Sequence, residues 1–100
     1  MSGGDEKFIT EMIGLFREQV AEYKEAMPKL LEEKSYDALS KMAHKAKSSV
    51  AVMGMTEAAE LLKELEILAH EEKEPERYEE MIYSFIAQSE LALAELDQQI

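Results

Sequence analysis

The chain contains no cysteine and no tryptophan, and only two prolines and four glycines in 100 residues. Without cysteine there is no disulfide framework, no thiolate nucleophile and no cysteine-ligated zinc or iron–sulfur site, so nothing points to a secreted life and a cytoplasmic protein is expected. Basic residues are scarce too: 11 Lys and Arg stand against 22 Asp and Glu, a formal charge of −11. Such a surface repels polyanions, which argues against nucleic acid and anionic membrane as partners. No apolar run approaches the roughly 20 residues of a membrane span. Met1-Ser2-Gly3-Gly4-Asp5 has neither the basic start nor the apolar stretch of a signal peptide. Glycine-rich phosphate loops are missing as well, since Gly14 and Gly54 each stand alone. A nucleotide-binding kinase or ATPase is therefore disfavoured.

What remains is the composition of a helical protein. With 46% hydrophobic and 33% charged residues the chain is too apolar for disorder, and one hundred residues suffice for a single domain with one core. Residues 1–4 read as a flexible start and residues 5–100 as one folded unit. Phe8, Met12, Leu15, Phe16, Tyr23 and Met27 recur at helical spacing, with Asp5 as the expected N-cap and Pro28 as an expected kink or stop. Ser35 is placed to cap a second helix with a stripe of Leu39, Met42, Ala43, Ala46, Val50 and Met53, ended by Gly54. Thr56 is placed to cap a third, with Ala58, Leu61, Leu62, Leu65, Leu68 and Ala69 facing inward. Pro75 fits the first turn of a fourth, with Tyr78, Met81, Ile82, Phe85, Ala92 and Leu96 on its inner face. Four amphipathic helices joined by short connections predict an all-α, antiparallel four-helix bundle. Five of the seven methionines, Met12, Met27, Met42, Met53 and Met81, fall on these stripes and read as core filling rather than as an adaptable binding groove.

Little in the chain offers chemistry. Bundle-core di-iron sites need Glu-x-x-His pairs, but Lys41 precedes His44 by three residues and Ile67 precedes His70. The acidic stretch from Glu71 to Glu80 lacks the aspartate-rich, glycine-centred loop of an EF-hand. No metal site is expected, and a metal carrier built on His44 and His70 lacks convergent ligands. His70, at the end of the third helix, suits the negative end of the helix dipole. His44 is different. Steps of three, four and seven from it reach Ser40, Lys41, Lys47, Ser48 and Ala51, off the apolar stripe, so it faces solvent. From Ala38 to Thr56 there is no acidic residue, while Lys41, Lys45 and Lys47 contribute positive charge within an acidic chain. An exposed imidazole ringed by lysines is suited to act as a neutral nucleophile and to hold an anion, because neighbouring cations disfavour the imidazolium and stabilise a phosphoryl group once attached.

The segment Ala43-His44-Lys45-Ala46-Lys47-Ser48-Ser49-Val50-Ala51-Val52-Met53-Gly54 resembles, without gaps, the signature of histidine-containing phosphotransfer (HPt) domains, roughly A-H-x-L-K-G-S-S-x-x-x-G. The resemblance continues through Leu61, Leu65 and Glu66, similar to the family's L-x-x-x-L-E, and through Tyr36-Asp37-Ala38-Leu39, similar to its W-E-A-L. It covers about residues 5 to 98. Three positions depart: Ala46 replaces a larger aliphatic residue, Val50 a small polar one, and Ser48 the usual Gly, one turn after His44 on the same face. A serine there either hydrogen-bonds the imidazole or phosphoryl oxygens, or crowds a docked partner.

The resemblance implies a phosphorelay role. His44 would accept a phosphoryl group from a receiver-domain aspartate or a kinase and pass it to another receiver aspartate, with Lys47, Lys45 and Lys41 offsetting charge and Ser48 beside the ring. The implied partners are response-regulator receiver domains and a sensor or hybrid histidine kinase. The protein would have no kinase activity and no cofactor of its own, the receiver supplying Mg²⁺, and would act as a monomer. Ala51 and Met55 are the expected docking residues. The alternative is a helical module of the same fold that docks a receiver or kinase without carrying phosphate.

Overall fold

The computed structural model describes the backbone of residues 3–98 and the side chains of residues 7–98. Helix α1 spans Gly3–Glu32, α2 Tyr36–Val52, α3 Thr56–Glu71 and α4 Tyr78–Gln98, with a 3₁₀ turn at Pro75–Arg77 leading into α4. There is no strand among the described residues, and consecutive helices run antiparallel as the expected bundle.

The core follows most of the expected stripes. Leu39, Ala43, Ala46 and Val50 of α2, Ala58, Leu62, Leu65 and Ala69 of α3, and Tyr78, Met81, Ile82 and Phe85 of α4 are all buried. Tyr23 of α1 meets Phe85 of α4 with ring centroids 5.9 Å apart, closing the centre of the bundle. In α4 the stripe continues through Ile86, Ser89 and Leu93, while Ala92 and Leu96 are half-buried. The largest departure is in α1. Its buried face is Ile13, Phe16, Val20, Tyr23 and Met27, whereas Phe8 and Leu15 are exposed and Met12 is half-buried. Two apolar stripes lie side by side on this helix, and the bundle uses only one.

The helix boundaries reflect how backbone groups are satisfied at the ends. Gly3 already belongs to α1, so Asp5 lies within the helix rather than at its cap; residues 1–2 lie outside the described residues. Pro28 does not stop α1, which continues to Glu32. A proline forfeits one backbone hydrogen bond, but the extra turn brings Leu30 and Leu31 against the core beside fully buried Met27. Ser35 is the N-cap of α2 by position, yet its side chain makes no cap bond. The N-cap of α3 is Met55, one residue before Thr56.

Three helices end alike. Beyond α2, Gly54 adopts φ 76° while Met55 N–H donates to Val50 and Gly54 N–H to Ala51, both at 3.0 Å. This is the Schellman arrangement, in which a left-handed residue returns two amide groups to the last carbonyls. Lys34 (φ 57°) and Glu72 (φ 55°) do the same after α1 and α3 without being glycine. The connection after α3 is tightened by Tyr78, whose hydroxyl donates to the Leu68 carbonyl at 2.7 Å and whose ring meets Tyr36 edge-on.

α1 outreaches its neighbours. At 1.5 Å per residue its 30 residues measure roughly 45 Å, close to the 49 Å long axis of the molecule. Ion pairs Arg17–Asp97 and Lys24–Glu90 set α1 antiparallel to α4, so the first turns of α1 run past the described end of α4.

The left-handed conformation at Lys34 costs an L-residue about 1 kcal/mol that glycine avoids. Lys34→Gly should accordingly raise the free energy of unfolding by about that amount, measured by urea denaturation, with an unchanged helical signal.

Candidate functional site

α2 and α3 form a hairpin folded at Gly54, and the site lies midway along its outer face. Ser40, buried on α2, donates to the backbone carbonyl of Glu66 on α3 at 2.8 Å and ties the two helices at this level. One turn along α2, the His44 ring stands in solvent, its side chain 63% exposed. Nδ1 of His44 lies 3.0 Å from Oε2 of Glu66. Oε1 of the same carboxylate accepts a hydrogen bond from Lys47 Nζ, also at 3.0 Å. Glu66 therefore bridges the histidine and the lysine that follows it by three residues.

The protonation state follows from these contacts. The hydrogen bond from Lys47 is the largest influence and holds the Glu66 carboxyl below the ordinary value of 4.5; burial opposes it, and the charge of Lys47 and then His44 add in the lowering direction. At neutral pH Glu66 is an acceptor only, so the hydrogen between it and His44 resides on Nδ1. In the neutral ring that tautomer leaves the lone pair on Nε2, which has no protein partner among the described residues. The result is an exposed ring with its Nε2 lone pair left available.

The other expected residues fall around the ring in unequal ways. Lys41 pairs with Asp37 at 3.2 Å and Lys45 with Glu22 of α1 at 3.3 Å, both on the surface. The stretch without acidic residues is thus neutralised in space, each of its three lysines meeting a carboxylate. Lys47 is the most enclosed of them, 29% exposed, and retains donors beyond the one given to Glu66. Ser48 is exposed, with Oγ turned to its own helix, 3.5 Å from the His44 carbonyl, so it does not hold the imidazole. Ser49 Oγ donates to the Lys45 carbonyl at 3.3 Å and lies 3.0 Å from the hydroxyl of buried Tyr23. That contact locks α1 to α2 one turn beyond His44.

Beside Ser48 a shallow apolar groove opens between α1 and α2, lined by Met12, Leu15, Phe16, Ser48, Val52 and Met53. Val52 and Leu15 are 71% and 56% exposed, unusual for large apolar side chains on a chain this charged. Two of the methionines assigned to the core, Met12 and Met53, are half-buried here. Ala51 and Met55 are not among the lining residues: Ala51 is exposed nearby, and Met55 faces a separate hollow with Gly54 and Leu91. His70 is exposed in the last turn of α3. Among the described residues no group of three or more His, Asp or Glu side chains is placed to hold a metal ion, so the two histidines gain no ligand set.

Residues 11–99 match the family model of the Hpt domain. The chain belongs to this family, whose members carry out histidine phosphotransfer in two-component phosphorelays and interact with receiver domains and kinases. No curated protein and no solved structure matches the chain. No helix among the described residues is long and apolar enough to cross a membrane.

Glu66 is the contact of His44 that residue-by-residue reading of the chain passes over. Leu65 and Glu66 stand in the family-like stretch, but only the hairpin register shows that Glu66 meets His44.

The lowered Glu66 carboxyl carries a pH signature. Its ionised form is favoured by folding, so its contribution is present above the unfolded value of 4.5 and is lost as pH falls through the depressed folded range. Wild type should exceed Glu66→Gln in unfolding free energy by about 1 kcal/mol at neutral pH, with a smaller gap at a pH below the unfolded value of 4.5. Urea denaturation of both proteins at the two pH values checks this.

Proposed function

We propose that this protein is a phosphoryl carrier in which Nε2 of His44 takes a phosphoryl group from an aspartyl phosphate of one receiver domain, or from a kinase, and passes it to the aspartate of another. The observation that carries this reading is the Glu66 carboxylate on Nδ1 of a solvent-facing ring. It fixes the tautomer and rotamer in which Nε2 is free to attack in line. The family supports the reaction class, and the Glu66 contact on Nδ1 supports Nε2 as the attacking atom.

In this reading the chain contributes position and charge, not activation of a nucleotide. The receiver brings its own Mg²⁺, acidic pocket and lysine, and the bundle holds one imidazole rigid in front of them. Lys47, 3.0 Å from Glu66 and beside the ring, turns its remaining donors toward the phosphoryl oxygens. Lys41 and Lys45 lie farther out, already paired, and act on the approach of an anionic partner rather than on the transferred group. The groove of Met12, Leu15, Val52 and Met53 begins one turn from His44 and receives the apolar rim around the receiver's active site. Ser48 lies between nucleophile and groove, its hydroxyl satisfied by its own backbone, so it makes contact with the partner by its bulk.

Incubation with a pre-phosphorylated receiver and Mg²⁺ should place acid-labile phosphate on wild type and none on His44→Gln, with helicity and melting of the variant unchanged. A wild type that binds receivers yet never takes label would instead identify a docking module without phosphate chemistry. Leu15→Ser combined with Val52→Ser, both at exposed positions, should leave stability within about 0.5 kcal/mol. The pair should raise the KM for the receiver about tenfold while sparing the rate at saturation, as expected for loss of uniform binding.

A further inference from the structure

A carrier must release its phosphoryl group as readily as it accepts it, and for an N-phosphorylated imidazole release depends on one proton. On acceptance the Nε2 lone pair forms the N–P bond while the P–O bond to the aspartate breaks, its electron pair staying on the carboxylate. The hydrogen on Nδ1 takes no part, so the ring emerges as a phosphoimidazolium. On donation the receiving carboxylate attacks phosphorus, the N–P pair returns to Nε2, and the ring departs as neutral imidazole. If Nδ1 loses its hydrogen to solvent between the two steps, the departing ring has to be an imidazolate anion. That is a much poorer leaving group, and the phosphoryl group is stranded.

We propose that Glu66 keeps Nδ1 protonated throughout the phosphorylated state and thereby sets the donor strength and lifetime of the phosphohistidine, beyond orienting the free ring. This rests on the phosphotransfer reading of His44. The carboxylate is well placed for the task. Oε2 lies 3.0 Å from Nδ1, Lys47 holds Oε1 from the other side at 3.0 Å, and Ser40 anchors the Glu66 backbone at 2.8 Å, so Glu66 is held against the ring from three directions. A carboxylate in contact with a ring nitrogen favours the cationic ring.

The other charges around His44 push the opposite way or are spent. On α2, Lys41, Lys45 and Lys47 are cations, the first two neutralised by Asp37 and by Glu22 of α1. On α3, Lys63 and His70 sit one turn either side of Glu66 and are exposed. Among the described residues Glu66 is the carboxylate in contact with the ring. Lys47 holds the Glu66 carboxyl below its ordinary value, so it is the ionised acceptor at neutral pH.

The test uses the full chain loaded with phosphoramidate, a small donor that needs no receiver, followed by ³¹P and ¹⁵N–¹H spectra of the His44 side chain from about pH 6 to pH 9. In wild type the protonated-ring signature should persist to a pH about one unit higher than in Glu66→Gln. At about pH 8, discharge of the preloaded phosphoryl group to a receiver should be about tenfold slower in Glu66→Gln. Lys47→Gln, which removes the opposing cation, should move the titration upward, a direction that general damage to the fold does not produce. Coincident titration curves for wild type and Glu66→Gln overturn the proposal whatever receivers do. Separated curves with no discharge to any receiver uphold the protonation effect and overturn the phosphotransfer reading instead.

Discussion

The antiparallel register of α2 on α3 is the constraint on which the site depends. His44 and Glu66 are far apart in sequence, but each lies eleven residues from Met55, at the fold of the hairpin. The left-handed Gly54 and the two amide groups returned to Val50 and Ala51 set the angle at which α3 leaves the turn. Ser40 on the Glu66 carbonyl then holds the same register from within. Histidine, carboxylate and lysine all belong to this hairpin. α1 and α4 complete the core beneath it, chiefly through Tyr23 and Phe85.

Much of this was legible before any coordinates. The helical period placed four helices and put His44 in solvent, because apolar spacing reports which face of a helix is buried whatever the partner. Features that depend on a second helix were not. A run of nineteen residues without an acidic side chain suggested a positive island, yet Asp37, Glu22 and Glu66 arrive from the preceding turn and from two other helices to pair with its lysines. Periodicity likewise could not choose between two neighbouring stripes on α1, since Phe8, Met12 and Leu15 repeat as regularly as Ile13, Phe16 and Val20. Two helix ends answer to their surroundings: α1 continues past Pro28 to the turn in which Leu30 and Leu31 pack against the core, and the cap of α3 falls on Met55 rather than Thr56 in a tight turn.

The exposed stripe on α1 adjoins the candidate site. A small bundle has little reason to display Leu15 and Val52 to water, and the hydrophobic effect alone would favour polar residues there. They lie along the groove that ends at Ser48, the surface assigned to a partner in the proposed function. The core-facing stripe, by contrast, answers to the bundle.

Among the described residues the groove begins at Ser48, one turn from His44, and runs along α1 and the second half of α2. An imidazole nitrogen presents the same lone pair to any visitor in line with it, so the ring by itself does not distinguish one rotation of the partner about that line from another. A single apolar flank does. In the proposed relay, a donor and an acceptor that are both receiver domains would mount the same flank in the same orientation, and each would exclude the other while bound. Loading and unloading become alternating events at one berth, and an excess of empty acceptor slows the traffic it is meant to receive.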